Sequence, residues 1–472
     1  MKQKLVRFTD FAENLFPHEV YYLKRVENFQ TEDNKEILEV IQYNVEHRNK
    51  PKSFDESIDK RRYSNLKKWM EERLAEADVD QQLLAIQDLE ARVLLDKVDR
   101  ATEKQIERWF QKGEPEHYYF RKIYELAQHY EHFLLIRLRE REAKKVAEYL
   151  NTYRADYATA QEVFNKLQQA TGDIVDRYKK GSDKEVKWED FLKDVVYNGV
   201  PDGMNTYAAF IRLSLLYLTL TKYQELDELY CYIDEAFKNG RFYSKRILAN
   251  YYANKLLFLS RFSSLDEAEQ FGYLSIKYKN ADYLFYITNL SAVLLRQGKS
   301  TTALKLLREA FPEMRQTTSH HTRLGFIAFY IKCMIDIGRV QDAEQFADSF
   351  LKAYTKEVIS GRWHLFFVSY FRSLILQEKY ARLLYLAQRH KIEALDKANR
   401  SKPSYLPTIS WYISVSRFIE GHSHADVLIT EMQQAVAGIK YNESKKQKVM
   451  KILMELQPLA PKVLKSVGSS LF

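Results

Sequence analysis

Apolar residues recur every three or four positions through most of the chain. Tyr63, Leu66, Met70 and Leu74 form one such set, and residues 83–93 contain another. This spacing places the side chains on one face of an α-helix, whereas a half-buried strand would need strict alternation of apolar and polar residues. We therefore predict an all-α fold.

The apolar periodicity is nearly continuous in the first third of the chain. One long helical segment runs from about Tyr118 to Asn151. We expect a turn near Thr152, followed by a further helix that reaches about Tyr178. The pattern predicts a helical N-terminal domain over residues 1–180.

A change in composition ends this domain. Residues 179–185 are polar, and residues 198–203 combine Asn, Pro, Asp and two Gly, which favour turns. We therefore predict a linker over residues 181–204.

Beyond the linker, one motif recurs at intervals of about 35 to 42 residues. One helix ends at Gly298, and a second helix carries Ala303 near its start; Gly338 and Ala343 repeat this combination. Poorer copies occupy residues 221–226, 263–268, 377–383 and 420–425. Such self-similarity predicts a repeat array over residues 205–440, followed by a basic C-terminal capping helix and tail over residues 441–472.

The motif resembles the tetratricopeptide (TPR) repeat, since Leu290, Gly298, Ala303, Leu307 and Ala310 have the spacing of that family. The resemblance is to a degenerate form, because the intervals exceed the standard 34 residues and few copies carry both Gly and Ala. It implies an α-solenoid of stacked antiparallel helix pairs. In that family the first helix of each pair lines a concave groove that binds a peptide or protein.

The same resemblance assigns candidate groove residues. Positions that face the groove carry cations at Arg261, Arg296, Lys332 and Arg372. Such a groove suits an acidic peptide or a C-terminal carboxylate, although four cations in so basic a chain could also be ordinary solvated surface. Three asparagines could add amide contacts to a bound backbone: Asn250, Asn254 and Asn289. We expect a non-enzymatic scaffold or adaptor with a protein or peptide partner.

The composition of the 472 residues agrees with a soluble helical protein. Gly (14) and Pro (9) are scarce, which disfavours turn-rich β folds. Cys231 and Cys333 lie in apolar helical patterns and are predicted to be buried in a reducing compartment. Without a signal-peptide pattern or a long apolar run, we expect a cytoplasmic protein with no membrane partner.

A second hypothesis rests on five cations of one predicted helix: Lys60, Arg61, Arg62, Lys67 and Lys68. Together with a formal net charge of +9, they permit a nucleic-acid- or ribosome-associated protein. Acidic neighbours make a solvated helix face the other interpretation. A third hypothesis is a regulator whose N-terminal bundle is gated by a ligand in the repeat groove.

Motifs for catalysis or metal binding are missing from the sequence. There is no Gly-rich phosphate loop after a strand, no nucleophile elbow and no zinc-binding helix. We therefore expect no enzymatic activity, no catalytic residue, no metal site and no cofactor.

Overall fold

The computed structural model describes residues 5–180, 187–402, 405–437 and 443–470. Every regular element within these ranges is a helix, which confirms the predicted all-α class. Of the helices described, none is both long and apolar enough to cross a membrane.

The described residues form two compact units, Met1–Phe258 and Leu259–Phe472. The described part of the predicted linker, residues 187–204, lies within the first unit. The helices of the first unit are α1 (Val6–Asn14), α2 (Pro17–Val26), α3 (Glu32–Glu46), α4 (Lys60–Ala77), α5 (Val79–Leu94), α6 (Arg100–Lys112), α7 (Phe120–Ile136), α8 (Glu140–Thr152), α9 (Arg154–Lys180), α10 (Glu189–Tyr197), α11 (Gly203–Leu220), α12 (Tyr223–Lys238) and α13 (Lys245–Phe262), whose last residues belong to the second unit.

The second unit continues with α14 (Leu265–Ser275), α15 (Tyr283–Arg296), α16 (Ser300–Glu309), α17 (Phe311–Gln316), α18 (His320–Asp336), α19 (Val340–Ser360), α20 (Trp363–Ile375), α21 (Tyr380–Arg389), α22 (Ile392–Asn399), α23 (Thr408–Ile419), α24 (Ala425–Val436), α25 (Glu443–Leu456) and α26 (Pro461–Ser470). A short 3-10 helix, Gln457–Leu459, precedes α26. The region predicted as a basic C-terminal cap is therefore helical over its described part.

Helices of the second unit pack as successive pairs. We call α15, α18, α20 and α23 the first helices, and α16, α19, α21 and α24 the second helices. Each first helix contacts its own second helix and also the first helix of the next pair. The second helices α16, α19 and α21 contact the following first helix as well.

The same set of neighbours is present in the first unit. The pairs are α5 with α6, α7 with α8, and α11 with α12. The first helices again contact in sequence, α5 with α7, α7 with α9, and α9 with α11. Paired packing is therefore found in both units, including the N-terminal region in which the sequence carries no clear repeat.

A single residue in the left-handed region occurs in the turn between the two helices of most pairs. Among the described residues, these turn residues and their φ angles are Asp96 (57°), Leu138 (56°), Thr221 (58°), Gly298 (76°), Gly338 (83°), Glu378 (57°) and Gly421 (74°). Glycine adopts this conformation without a steric penalty, which explains why Gly298 and Gly338 are the clearest marks of the motif in the sequence.

Backbone hydrogen bonds close these turns in a common pattern. The amide of Gly298 donates to the carbonyl of Leu295 (3.2 Å), and that of Lys299 donates to Leu294 (2.8 Å). In the same way, the amide of Leu138 donates to the carbonyl of Leu135 and that of Arg139 donates to Leu134, both at 3.0 Å. This is the double hydrogen bond of the Schellman motif, which satisfies the last carbonyls of a helix.

In most of these turns a small or apolar residue is deeply buried five positions after the left-handed residue. Ala143, Ala303, Ala343 and Leu383 occupy this position and are at most 3% exposed. The combination of Gly298 with Ala303 thus has a structural counterpart in Leu138 with Ala143. This counterpart is not recognisable in the sequence, because leucine replaces the glycine of the motif.

The prediction of unbroken helical periodicity from Tyr118 to Thr152 is wrong at one point. The chain reverses at Leu138, between α7 and α8. The left-handed residue of this turn is a leucine, which adopts that conformation at some steric cost. The sequence therefore has no glycine or proline to indicate the reversal.

The second half of the predicted linker is packed structure. Helix α10 occupies part of it, and the turn that follows is bonded to the segment before α7: the amides of Asp202, Gly203 and Met204 donate to the carbonyls of Pro115, His117 and Tyr118 at 2.8–3.1 Å. A Cβ atom at Gly203 would lie 3.1 Å from the Cα of Tyr118, so a larger residue would force one of the two backbone segments to shift slightly. Residues 181–186 lie outside the described part of the chain.

The two cysteines differ in their burial. Cys333 is buried as predicted, whereas Cys231 is exposed, so that prediction is wrong. Helix α12 buries Leu229, Tyr230 and Ile233, and Cys231 lies beside that face.

Candidate partner-binding face

The first helices carry three of the four predicted groove cations, and two of these three are in equivalent positions. Lys332 and Arg372 each lie six residues before the left-handed residue of their turn, and Arg296 lies two residues before it. Because consecutive first helices contact one another, equivalent positions on them form a row. We call Arg296, Lys332, Asp336 and Arg372 the first-helix face.

Arg372 is held between two carboxylates. Its Nη1 lies 2.8 Å from Oδ1 of Asp336, and its Nε lies 2.6 Å from Oε1 of Glu455 on α25. Burial opposes the charged form, but the carboxylates outweigh this effect and raise the pKa of Arg372. The sequence-based stripe does not include these anions, so the face is mixed in charge around Arg372.

Lys332 lies close enough to this cluster to be affected by its charges. Desolvation of the ammonium group lowers the pKa of Lys332, and the positive charges of Arg372 and Lys451 lower it further, while Asp336 raises it. Lys332 and Arg372 therefore share one electrostatic environment.

Arg261 and Arg296 lie on exposed surface of the second unit. The guanidinium of Arg296 donates to the backbone carbonyl of Ser260, and that of Arg261 lies 5.3 Å from the ring centre of Phe262. Both charged groups remain accessible, because neither residue is buried.

The three candidate asparagines are divided between the two units. Asn250 and Asn254 belong to the first unit and hydrogen bond to each other at 3.0 Å. Asn289 lies on α15, seven residues before Arg296. Its amide nitrogen is buried, without a hydrogen-bond acceptor in the described part of the chain. Asn289 is the one of the three with an unused donor.

The candidate nucleic-acid face lies on α4, where Tyr63, Leu66 and Met70 are buried as predicted. Arg62 pairs with Asp33 at 2.9 Å. Lys67 and Lys68 lie 3.7 and 3.8 Å from glutamates one turn along the helix. Lys60 and Arg61 are exposed and, within the described residues, have no ion pair. Three of the five cations are therefore paired with acidic side chains.

A cleft that the sequence did not predict opens between α7, α8 and α9. It has a volume of about 650 Å³ and is floored by Tyr124 and Tyr157, whose rings stack 4.3 Å apart. Gln128, Asn151 and Gln161 offer amide groups around the rings. The cleft depends on the reversal at Leu138, which places α8 beside α7, and therefore could not be found without that turn.

A buried polar network also escaped prediction. His18 on α2 contacts Asp234 through Nε2 at 3.0 Å and the hydroxyl of Tyr252 through Nδ1 at 2.7 Å. Burial lowers the pKa of His18, more than Asp234 raises it. The neutral ring then donates to Asp234 and accepts from Tyr252. Both nitrogens are used internally, so the network fixes α2 against α12 and α13.

No family model matches the chain, and no curated protein is detectably similar to it in sequence. Within the described residues, no group of three or more His, Cys, Asp or Glu side chains is placed to hold a metal ion.

Proposed function

We propose that the chain is a TPR-like α-solenoid scaffold that binds a protein or peptide partner along its first-helix face. The observation that carries this proposal is the repeated turn, together with the contacts between consecutive first helices. Arrays of this kind expose a long surface while each pair buries its apolar side against its neighbours. Such surfaces bind extended peptides or helices.

The charges of this face favour an acidic partner. Arg372 is already neutralised by Asp336 and Glu455. We therefore assign the partner contact to Arg296 and Lys332 of this face, together with Arg261 at the end of α13. Carboxylates on the partner would form charge-assisted hydrogen bonds with these cations. No partner contact is assigned to Asn289, because its amide nitrogen is buried.

The two alternatives have less support. A nucleic-acid interface on α4 would require phosphates to displace the carboxylates that now pair with Arg62, Lys67 and Lys68. A ligand-gated regulator would require movement of residues 187–203. The hydrogen bonds of Asp202, Gly203 and Met204 to the segment before α7 oppose such movement.

Affinity capture from the source cells with matched charge variants tests the proposal. The test variant carries Arg261→Glu, Arg296→Glu and Lys332→Glu. The control carries Lys305→Glu, Lys352→Glu and Arg389→Glu, which make the same charge change at exposed sites on second helices. Equal thermal unfolding of the two variants shows that both are folded.

We expect one protein to be captured by wild type and control and reduced at least about tenfold with the test variant, a difference of about 1.4 kcal/mol in binding. Equal capture by all three proteins would refute the assigned face. Capture of RNA or DNA, detected by absorbance at 260 nm and lost at high salt, would favour the nucleic-acid alternative instead.

A further inference from the structure

Two turns of the first unit expose five aliphatic side chains side by side. They lie at the ends of α5 and α7, with exposed fractions of 61% for Leu94, 62% for Leu95, 50% for Leu135, 63% for Ile136 and 83% for Leu138. Helices α5 and α7 contact each other, and Nη2 of Arg137 donates to Oδ1 of Asp96 at 2.6 Å across the two turns. We call these five residues the leucine patch.

Leu138 stands out from the equivalent residues of the other turns. The turns between the other helix pairs hold Gly, Asp, Thr or Glu at this position, and these residues are either free of strain or polar. Leu138 combines a left-handed backbone with the highest exposure among the large apolar residues described. Neither backbone preference nor burial within the chain explains a leucine there. Backbone strain of this kind is often kept at binding sites.

The charges around the patch are predominantly positive. Asp96 pairs with Arg137, Glu103 and Glu142 share Arg139, and the carboxylate of Asp99 caps α6. Glu140 is the exposed acid that remains at the start of α8. The exposed cations nearby have no ion pair among the described residues: Lys97, Arg100, Arg141, Lys144 and Lys145. An anionic partner surface would complement this ring.

The size and form of the patch help to decide whether a second copy of the chain, a partner helix or a lipid membrane would cover it. The five side chains expose on the order of 600 Å², comparable to the largest apolar patch of an ordinary monomer. A stable interface with a second copy would bury about 800 Å² on each partner and would need a complementary surface. The patch consists of protruding side chains on two helix ends. A fluid apolar phase accepts protruding aliphatic groups without such a fit.

We propose that the leucine patch binds an anionic lipid membrane. The aliphatic side chains enter the boundary between headgroups and acyl chains, and the surrounding cations contact lipid phosphates. This role is independent of the partner-binding face, which lies on other helices, and it revises the sequence-based expectation that no membrane is involved. Attachment in this form is peripheral and reversible.

Sedimentation of the full chain with lipid vesicles tests this inference. One set of vesicles is pure phosphatidylcholine, and the other contains roughly 30 mol% phosphatidylserine. The test variants are Leu138→Asp and Leu138→Gly, the second of which retains the left-handed turn and so should fold at least as well. The matched control is Leu376→Asp, since Leu376 is a 49% exposed leucine two residues before Glu378 in another turn of this type.

We expect wild type and Leu376→Asp to bind the anionic vesicles, and both Leu138 variants to bind at least about fivefold less. Binding should fall with rising salt and be weak on neutral vesicles, because the cation ring contributes. Failure of wild type to bind anionic vesicles would overturn the inference, as would equal binding by the Leu138 and Leu376 variants. A dimer in analytical ultracentrifugation that depends on Leu138 would overturn it in favour of a protein interface.

Discussion

At the scale of single residues, backbone conformation organises this chain more consistently than residue identity does. The same left-handed turn residue is Gly at 298 and 338, Glu at 378 and Leu at 138. Glycine makes the turn visible in the sequence, whereas the other residues conceal it. The two clearest copies were therefore predictable, and the turn at Leu138 was not.

Substituting the turn glycine tests this interpretation. A Cβ atom at Gly298 would meet no atom within 4 Å, so Gly298→Ala changes only the backbone preference. We expect a loss of about 1 kcal/mol in the free energy of unfolding, because alanine disfavours a φ of 76°. Gly172 provides the control, since it lies inside α9 with equally open space and an ordinary helical φ.

Gly172→Ala should instead stabilise the protein by about 0.5–1 kcal/mol, through helix propensity. Both values can be measured by urea unfolding followed by circular dichroism. Effects of the same sign at the two sites would contradict a left-handed requirement at Gly298.

At the scale of elements, helices were predictable and their connections only partly so. Apolar spacing correctly identifies the buried face of α4, because burial follows directly from amphipathic periodicity. It cannot tell a linker from a packed turn. Residues 198–203 carry strong turn formers in either case, and only their bonds to Pro115, His117 and Tyr118 show that the turn belongs to the first unit.

Asp202 is the residue on which this turn most depends. Its carboxylate accepts hydrogen bonds from the amides of Arg121 (2.9 Å) and Asn205 (3.3 Å), and lies 3.5 Å from the buried Arg121 guanidinium. Burial raises the pKa of Asp202 to about 6, although these donors oppose the shift. At neutral pH the carboxylate remains mostly ionised and balances Arg121.

Asp202→Ala should therefore destabilise the first unit by about 3–5 kcal/mol, because it leaves a buried cation unpaired as well as removing the cap of α11. Asp78→Ala removes only the cap of α5, and should cost about 1 kcal/mol. The two values can be compared by chemical unfolding with circular dichroism detection. Similar losses for both variants would contradict the role assigned to the Asp202–Arg121 pair.

At the scale of the whole molecule, the structure shows which acidic side chains pair with the predicted cations. The spacing of Lys332 and Arg372 relative to their turns could be read from the sequence. The carboxylate of Glu455 could not, since it lies 83 positions from Arg372 in the chain and meets it only after α25 folds. The clefts and polar networks of the first unit are likewise products of long-range packing.

The central claim is that the first helices, and not the second helices, contact the partner. Hydrogen–deuterium exchange of the full chain, alone and bound to the captured partner, tests this claim most directly. The account predicts that protection increases in α15, α18 and α20 while α16, α19 and α21 stay unchanged. Protection confined to the second helices or to α4, or a complex without any change in the first helices, would contradict it.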